Sequence, residues 1–139
     1  MALTSEWREI DYKEANLASY PVAANTRIYK GALVVVRNTD GYAYNARTGN
    51  NSTDFFVGIA IETVDNTGGA AGAKRIRVKK HGSGVYSGTG FTQANVSAAA
   101  YATDENTVTT TAGTNVLVGH IVEFISSTRV RVRINNAVR

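Results

Sequence analysis

The side chains of this sequence that could do chemistry are two runs of alternating basic residues, two histidines and one acidic pair. "KRIRVKKHG", from Lys74 to Gly82, sets Lys74, Arg75, Arg77 and Lys79 against Ile76 and Val78. "STRVRVRINNAVR", from Ser127 onward, sets Arg129, Arg131 and Arg133 against Val130, Val132 and Ile134. On a strand this alternation buries the apolar side, at roughly 1.5–3 kcal/mol per fully buried Val or Ile, and leaves the cations in water. A core explains the apolar residues but not the uniform sign of the other face, since a generic solvated face mixes Lys, Glu, Thr and Ser. Two all-basic faces suit an acidic protein surface or phosphates. Nucleic-acid-binding barrels usually interleave exposed aromatics for bases to stack on. Here the nearest aromatics, Tyr86 and Phe91, lie past the strip. A plain solvated face, a protein partner and nucleic acid all stay open, in that order.

The other groups read as structural. His81 sits in the turn-like "KKHGSGVY", and His120 falls on the same side of its strand as Val118 and Val122, the setting of a satisfied core histidine. "HGSGVYSGTG" is glycine-rich but has neither a phosphate-loop pattern nor a dinucleotide fingerprint between strand and helix, so its glycines serve turns and bulges. Asp104-Glu105 reads as a turn. No Ser stands in a G-x-S-x-G elbow, and without Cys there is no thiolate, disulfide or cysteine-based metal site. The expectation is a non-enzymatic protein with no cofactor and no metal.

These residues need elements to hold them. The 139 residues suit one domain, and the apolar ones are mainly Val, Ile, Ala and Tyr, broken into short runs by thirteen Gly and many Thr and Asn. Period-two alternation recurs in "RIYKGALVVVR", "DGYAYNA", "DFFVGIAIETV", "KRIRVKK", "NTVTTT", "NVLVGHIVEFI" and "RVRVRI". Turn signals separate them at Asp40-Gly41, Asp65 to Gly69, Asp104 to Asn106 and Ser126-Ser127. The pattern predicts an all-β fold, a compact single-domain barrel over residues 21–139, with "TGGAAGA" (Thr67 to Ala73) as a mobile hairpin loop.

The order of events also repeats. "GALVVV", a turn, "YAYNA", "FFVGIAIE" and "KRIRVKK" are echoed by "AAAYAT", a turn, "TVTTT", "VLVGHIVE" and "TRVRVRI". Gly58 matches Gly119, Glu62 matches Glu123, and the basic strips fall in the same place. Two diverged copies of one unit, or two ordinary pairs of hairpins, produce this order.

Ahead of the barrel, residues 1–20 read as an arm. They carry Glu6, Glu9, Asp11 and Glu14 against Arg8 and Lys13, so a net charge of +4 leaves +6 on the rest. Leu3, Trp7, Ile10 and Leu17 sit near helical spacing, while Ile10 and Tyr12 also alternate as in a strand. Pro21 stops any helix from running on. There is no apolar stretch of membrane-spanning length and no basic leader with a cleavage site, which predicts a soluble chain without an export signal.

With strands and glycines laid out, the chain resembles the small capsid decoration, or cement, proteins of tailed bacteriophages. The resemblance runs through the arm, "IYKGALVVV" (Ile28 to Val36), "FFVGIAIETV" (Phe55 to Val64), "VKKHGSGVY" (Val78 to Tyr86) and "VLVGHIVEFISSTRVRVRI" (Val116 to Ile134). It implies a β-barrel or β-tulip fold and no catalysis. It also implies a place on the outer surface of the virion, where a symmetric homo-oligomer, a trimer before a dimer, braces neighbouring copies of the major capsid protein. On that resemblance Gly31, Gly58, Gly82 and Gly119 are turn or bulge positions. The arm, through Leu3, Trp7, Ile10, Tyr12 and Leu17, would grip the shell, with Lys74, Arg75, Arg77, Lys79, Arg129, Arg131 and Arg133 as a basic contact surface. Neither membrane nor nucleic acid is then a partner. Two rival readings remain: a nucleic-acid-binding barrel using the basic strands, and a sugar- or receptor-binding tail module using Trp7, Tyr42, Tyr44 and Tyr86 as stacking platforms.

Overall fold

A computed structural model describes residues 16–139 of the chain. The all-β expectation holds. The first sheet contains β1 (Leu17–Pro21), β3 (Leu33–Arg37), β4 (Ala43–Asn45), β5 (Asp54–Ala60) and β7 (Arg75–Lys79), in the order β1-β7-β5-β3-β4. The second contains β8 (Ser83–Ser87), β9 (Ala99–Ala102), β10 (Val108–Thr109), β11 (Val116–Ser126) and β12 (Arg129–Arg133), in the order β8-β12-β11-β9-β10. A two-stranded ribbon of β2 (Arg27–Ile28) and β6 (Val64–Asp65) completes the strands.

The two sheets have one topology. Within each, taken in chain order, the first strand pairs with the last, the last with the fourth, the fourth with the second and the second with the third, all antiparallel. The register agrees as well. Val34 faces Gly58 and Val35 faces Phe56, which leaves Val57 as a bulge; Ala100 faces Gly119 and Tyr101 faces Leu117, which leaves Val118 as the same bulge. Ile59 pairs with Lys79 as His120 pairs with Arg133, and Ala60 with Val78 as Ile121 with Val132. Of the two explanations for the sequence echo, two copies of one unit is the one the topology fits.

Neither sheet closes into a barrel. In each, one parallel bridge joins the far edges, Val22 to Ala43 in the first unit and Ser87 to Thr107 in the second. Inside the first unit lie Val34, Ala43, Val57, Ala60, Ile76 and Val78, sealed by Ile28 of the ribbon. The matching residues Ala100, Val108, Val118, Ile121, Val130 and Val132 line the second, where the cluster also takes in Leu33, Val35 and Phe56 from the other face of the first sheet. The first sheet is therefore buried on both sides, and Leu33, Val34 and Val35 are consecutive residues without exposure. Polar clamps join the units: the Leu33 N–H donates to the Glu105 carbonyl at 2.9 Å and the Tyr86 hydroxyl to the Gly31 carbonyl at 2.9 Å. Asn115 Oδ1 accepts from the Thr48 hydroxyl at 2.8 Å and the Gly49 N–H at 2.9 Å.

Four expectations change. Residues 17–20, assigned to the arm, belong to β1, because β7 needs an edge partner there. β8, read as a glycine-rich turn region, is a strand: a Cβ on Gly84 would lie 2.9 Å from the Tyr86 ring, so the glycine makes room for that side chain. The segment after β6 is anchored, since the buried Asn66 amide donates to the Ala23 carbonyl at 2.9 Å and the Ala70 carbonyl at 3.0 Å. His120 is not in the core, because the bulge at Val118 inverts the alternation and leaves it half-buried on the outer face with exposed Val122.

Candidate functional basic strands

β7 and β12 present their charges outward, as the alternation predicts: Ile76, Val78, Val130 and Val132 are fully buried, while Arg75, Arg77, Lys79, Arg129 and Arg133 are exposed and Arg131 partly so. The registers make Arg75 equivalent to Arg129, Arg77 to Arg131 and Lys79 to Arg133. Both strands can lie close against their neighbours because of one glycine each. A Cβ on Gly58 would stand 2.3 Å from the Lys79 carbonyl oxygen, and a Cβ on Gly119 2.2 Å from that of Arg133.

The centre of each strip is neutralised. The Arg77 guanidinium donates to Glu62 at 2.8 Å, and the Arg77 N–H donates to the same carboxylate at 3.2 Å. The guanidinium, and then that N–H, hold the Glu62 carboxyl below its ordinary value. In the second unit Arg131 donates to Glu123 at 3.4 Å and to the Ser83 hydroxyl at 3.4 Å. The faces are thus basic at their ends and paired in the middle, which sequence alternation alone does not disclose. The signal that could have found the pairs was the Glu62–Glu123 match itself.

The remaining basic residues divide by task. Arg75 reaches across to β1, donating to the Ser19 hydroxyl at 2.9 Å and the Ser19 carbonyl at 2.8 Å. Lys74 is not on the strip: it precedes β7 and donates to the Asp65 carbonyl at 2.7 Å, holding the ribbon. Lys80 contacts the Tyr20 hydroxyl and ring and donates to the Arg139 main-chain oxygen at 2.7 Å. Lys79, Arg129 and Arg133 have no side-chain partner among the described residues. Beside Lys79, a cleft of about 460 Å³ opens between the units, lined by Lys30, Ile59, His81, Val85 and Tyr86.

No aromatic platform accompanies the strips. Tyr86 is 3% exposed, and burial raises its hydroxyl above the ordinary tyrosine value. Phe91 is buried. The Tyr44 ring is covered by Arg37, 3.5 Å from its centroid, and its hydroxyl donates to Asp40 at 2.6 Å. Asp104 accepts the Asn106 N–H at 2.8 Å, as a turn residue does. Among the described residues no three His, Asp or Glu side chains gather where they could hold a metal ion. Leu3, Trp7, Ile10 and Tyr12 lie outside the described residues; Leu17, in β1 opposite Lys79, is 46% exposed.

No protein-family model matches this chain, and no curated protein or solved structure matches it.

Proposed function

We propose that this is a non-enzymatic head decoration protein of a tailed bacteriophage. It binds the outer surface of the capsid as a symmetric homo-oligomer, a trimer in preference to a dimer, and braces neighbouring copies of the major capsid protein. The observation that carries this reading is the division of labour among polar side chains. Those inside the fold and at the junction of the units hold the scaffold: buried Asp54 grips Arg47 through two bonds of 2.9 and 3.1 Å, buried Asn66 pins its loop, and the partly buried Asn115 joins the units. Left for contact are a broad outer surface, the ends of the two basic strips and the exposed Leu17, Val122 and Ile125. Such a surface suits many modest contacts multiplied over many copies.

Co-sedimentation with empty heads tests the reading. The protein should pellet with heads and stay in solution without them, and light scattering should show an oligomer free or on the shell. A monomer that never pellets with heads would end it.

A further inference from the structure

We infer that β7 and β12 carry two copies of one docking site, each for an extended, carboxylate-bearing protein segment, so that a single chain holds two equivalent partners. The internal repeat is the reason. Most positions that match between the units are buried and are explained by packing: Val57 with Val118, Val78 with Val132, Ile76 with Val130. The outward matches are not, apart from Arg75, which also holds Ser19 of β1. Arg75 with Arg129, Arg77 with Arg131, Glu62 with Glu123, and the cation pair Lys79 with Arg133 all lie on solvated surface. Exposed ion pairs contribute little to a fold. Folding therefore gives little reason for two units, whose loops differ, to carry the same exposed charges in the same register.

The geometry specifies the occupant. Each strip offers cations at its two ends, four residues apart along a strand, or roughly 13 Å at 3.3 Å per residue. Between them sits an arginine already matched by a glutamate. An extended partner with carboxylates at i and i+4 and polar, uncharged residues between meets both ends and leaves the central pair intact. A nucleic-acid backbone, with one charge per roughly 3.4 Å of strand, would set phosphates against Glu62 or Glu123. Tyr86 and Phe91 are buried, and the exposed Tyr29 lies beyond β2 against Arg27, on neither β7 nor β12, so no aromatic of the two strips themselves is placed to stack bases. The site rests on charge and internal symmetry; only the identification of both partners as capsid subunits rests on the reading above.

The test is an NMR titration with the peptide acetyl-Glu-Thr-Ser-Thr-Glu-amide and, separately, with a short oligothymidylate. The peptide should shift amides of β7 and β12 along curves that agree within about three-fold in Kd and weaken as salt rises. Arg75→Gln with Lys79→Gln should silence β7 alone, and Arg129→Gln with Arg133→Gln should silence β12 alone. If loss of the Ser19 contact unfolds the first variant, Lys79→Gln by itself carries that arm. No response, a response on one strand only, or tighter binding of the oligothymidylate overturns the proposal. In parallel, each variant should coat heads at least ten-fold less tightly than wild type. Peptide binding at both strands by a wild-type protein that ignores heads would keep the two sites and discard the capsid reading.

Discussion

The two units share a ladder, a bulge and a close-packed glycine, yet they diverge after the fourth strand. In the first, β5 stops at Ala60 and the chain detours through β6, whose pairing with β2 seals the core. In the second, β11 runs on to Ser126 and returns at once as β12, leaving Val122 42% and Ile125 44% exposed. The interiors differ in compensating ways. Val34 and Val36 become the smaller Ala100 and Ala102, while Ala43 and Ala60 become the larger Val108 and Ile121. Such exchanges teach that one backbone accepts two sets of side chains when filled volume is held.

The sharpest test of equivalence is at the glycines. Gly58→Ala and Gly119→Ala should each cost about 3 kcal/mol or more in urea unfolding, because each new Cβ meets a main-chain oxygen at less than contact distance. Of the two, Gly58 alone has a positive φ, 139°. If Gly119→Ala proved harmless, backbone strain rather than close approach would govern, and the units would not be mechanical equals.

Next in size is the core exchange. Ile121→Ala should cost about 2–5 kcal/mol. Adding Ala100→Val, which copies the first unit's arrangement, should restore roughly 1 kcal/mol of that loss; a further loss in the double variant would show that volume is not traded within this core.

The ribbon gives a smaller contrast. Asn66→Ala should cost about 2 kcal/mol by taking the side-chain donor from the Ala23 carbonyl and one of the two donors from the Ala70 carbonyl, which keeps the Ala73 N–H, whereas Val122→Thr on the other unit's exposed strand should change stability by less than about 0.5 kcal/mol.

Acid should reach the first unit early. Asp40 is held below the ordinary carboxylate range by the Tyr44 hydroxyl and then the Tyr42 N–H, Glu62 by Arg77, and Asp65 by the Thr67 hydroxyl and then Arg27. Their folded values lie below the unfolded ones, so the stability they add is complete above roughly pH 4–4.5 and is lost as pH falls through that range and below. Hydrogen exchange between about pH 6 and 3 should show protection lost around β4, β6 and β7 first; uniform loss would contradict this. Smallest of all, Arg129→Gln or Arg133→Gln should shift stability by about 0.5 kcal/mol or less.

Much of this was legible in the residues. Alternation located β7 and β12 and the direction of their arginines, and the matches of Gly58 with Gly119 and Glu62 with Glu123 pointed to equivalent places before any strand was paired. The opening strand of each unit escaped. β1 and β8 are edge strands held mainly by pairing with β7 and β12, and "LASYP" and "SGVYS" carry too few apolar residues for alternation to register. His120 falls on the other side because the bulge at Val118 reverses the side taken by the residues after it, before Val122 and Ile125 shift the register again. The ion pairs escaped because pairing depends on register, which periodicity does not specify.

The unequal loops after β5 and β11 also decide who pairs with whom while the chain folds. "RIRVK" and "RVRVR" are near-interchangeable partners, so β12 could in principle take β7's place on β5. Only two residues separate β11 from β12, against residues 61–74 between β5 and β7. The short loop closes sooner and at lower entropic cost, so β12 is committed to its own unit before β7 competes, and the repeat is protected from crossing its strands.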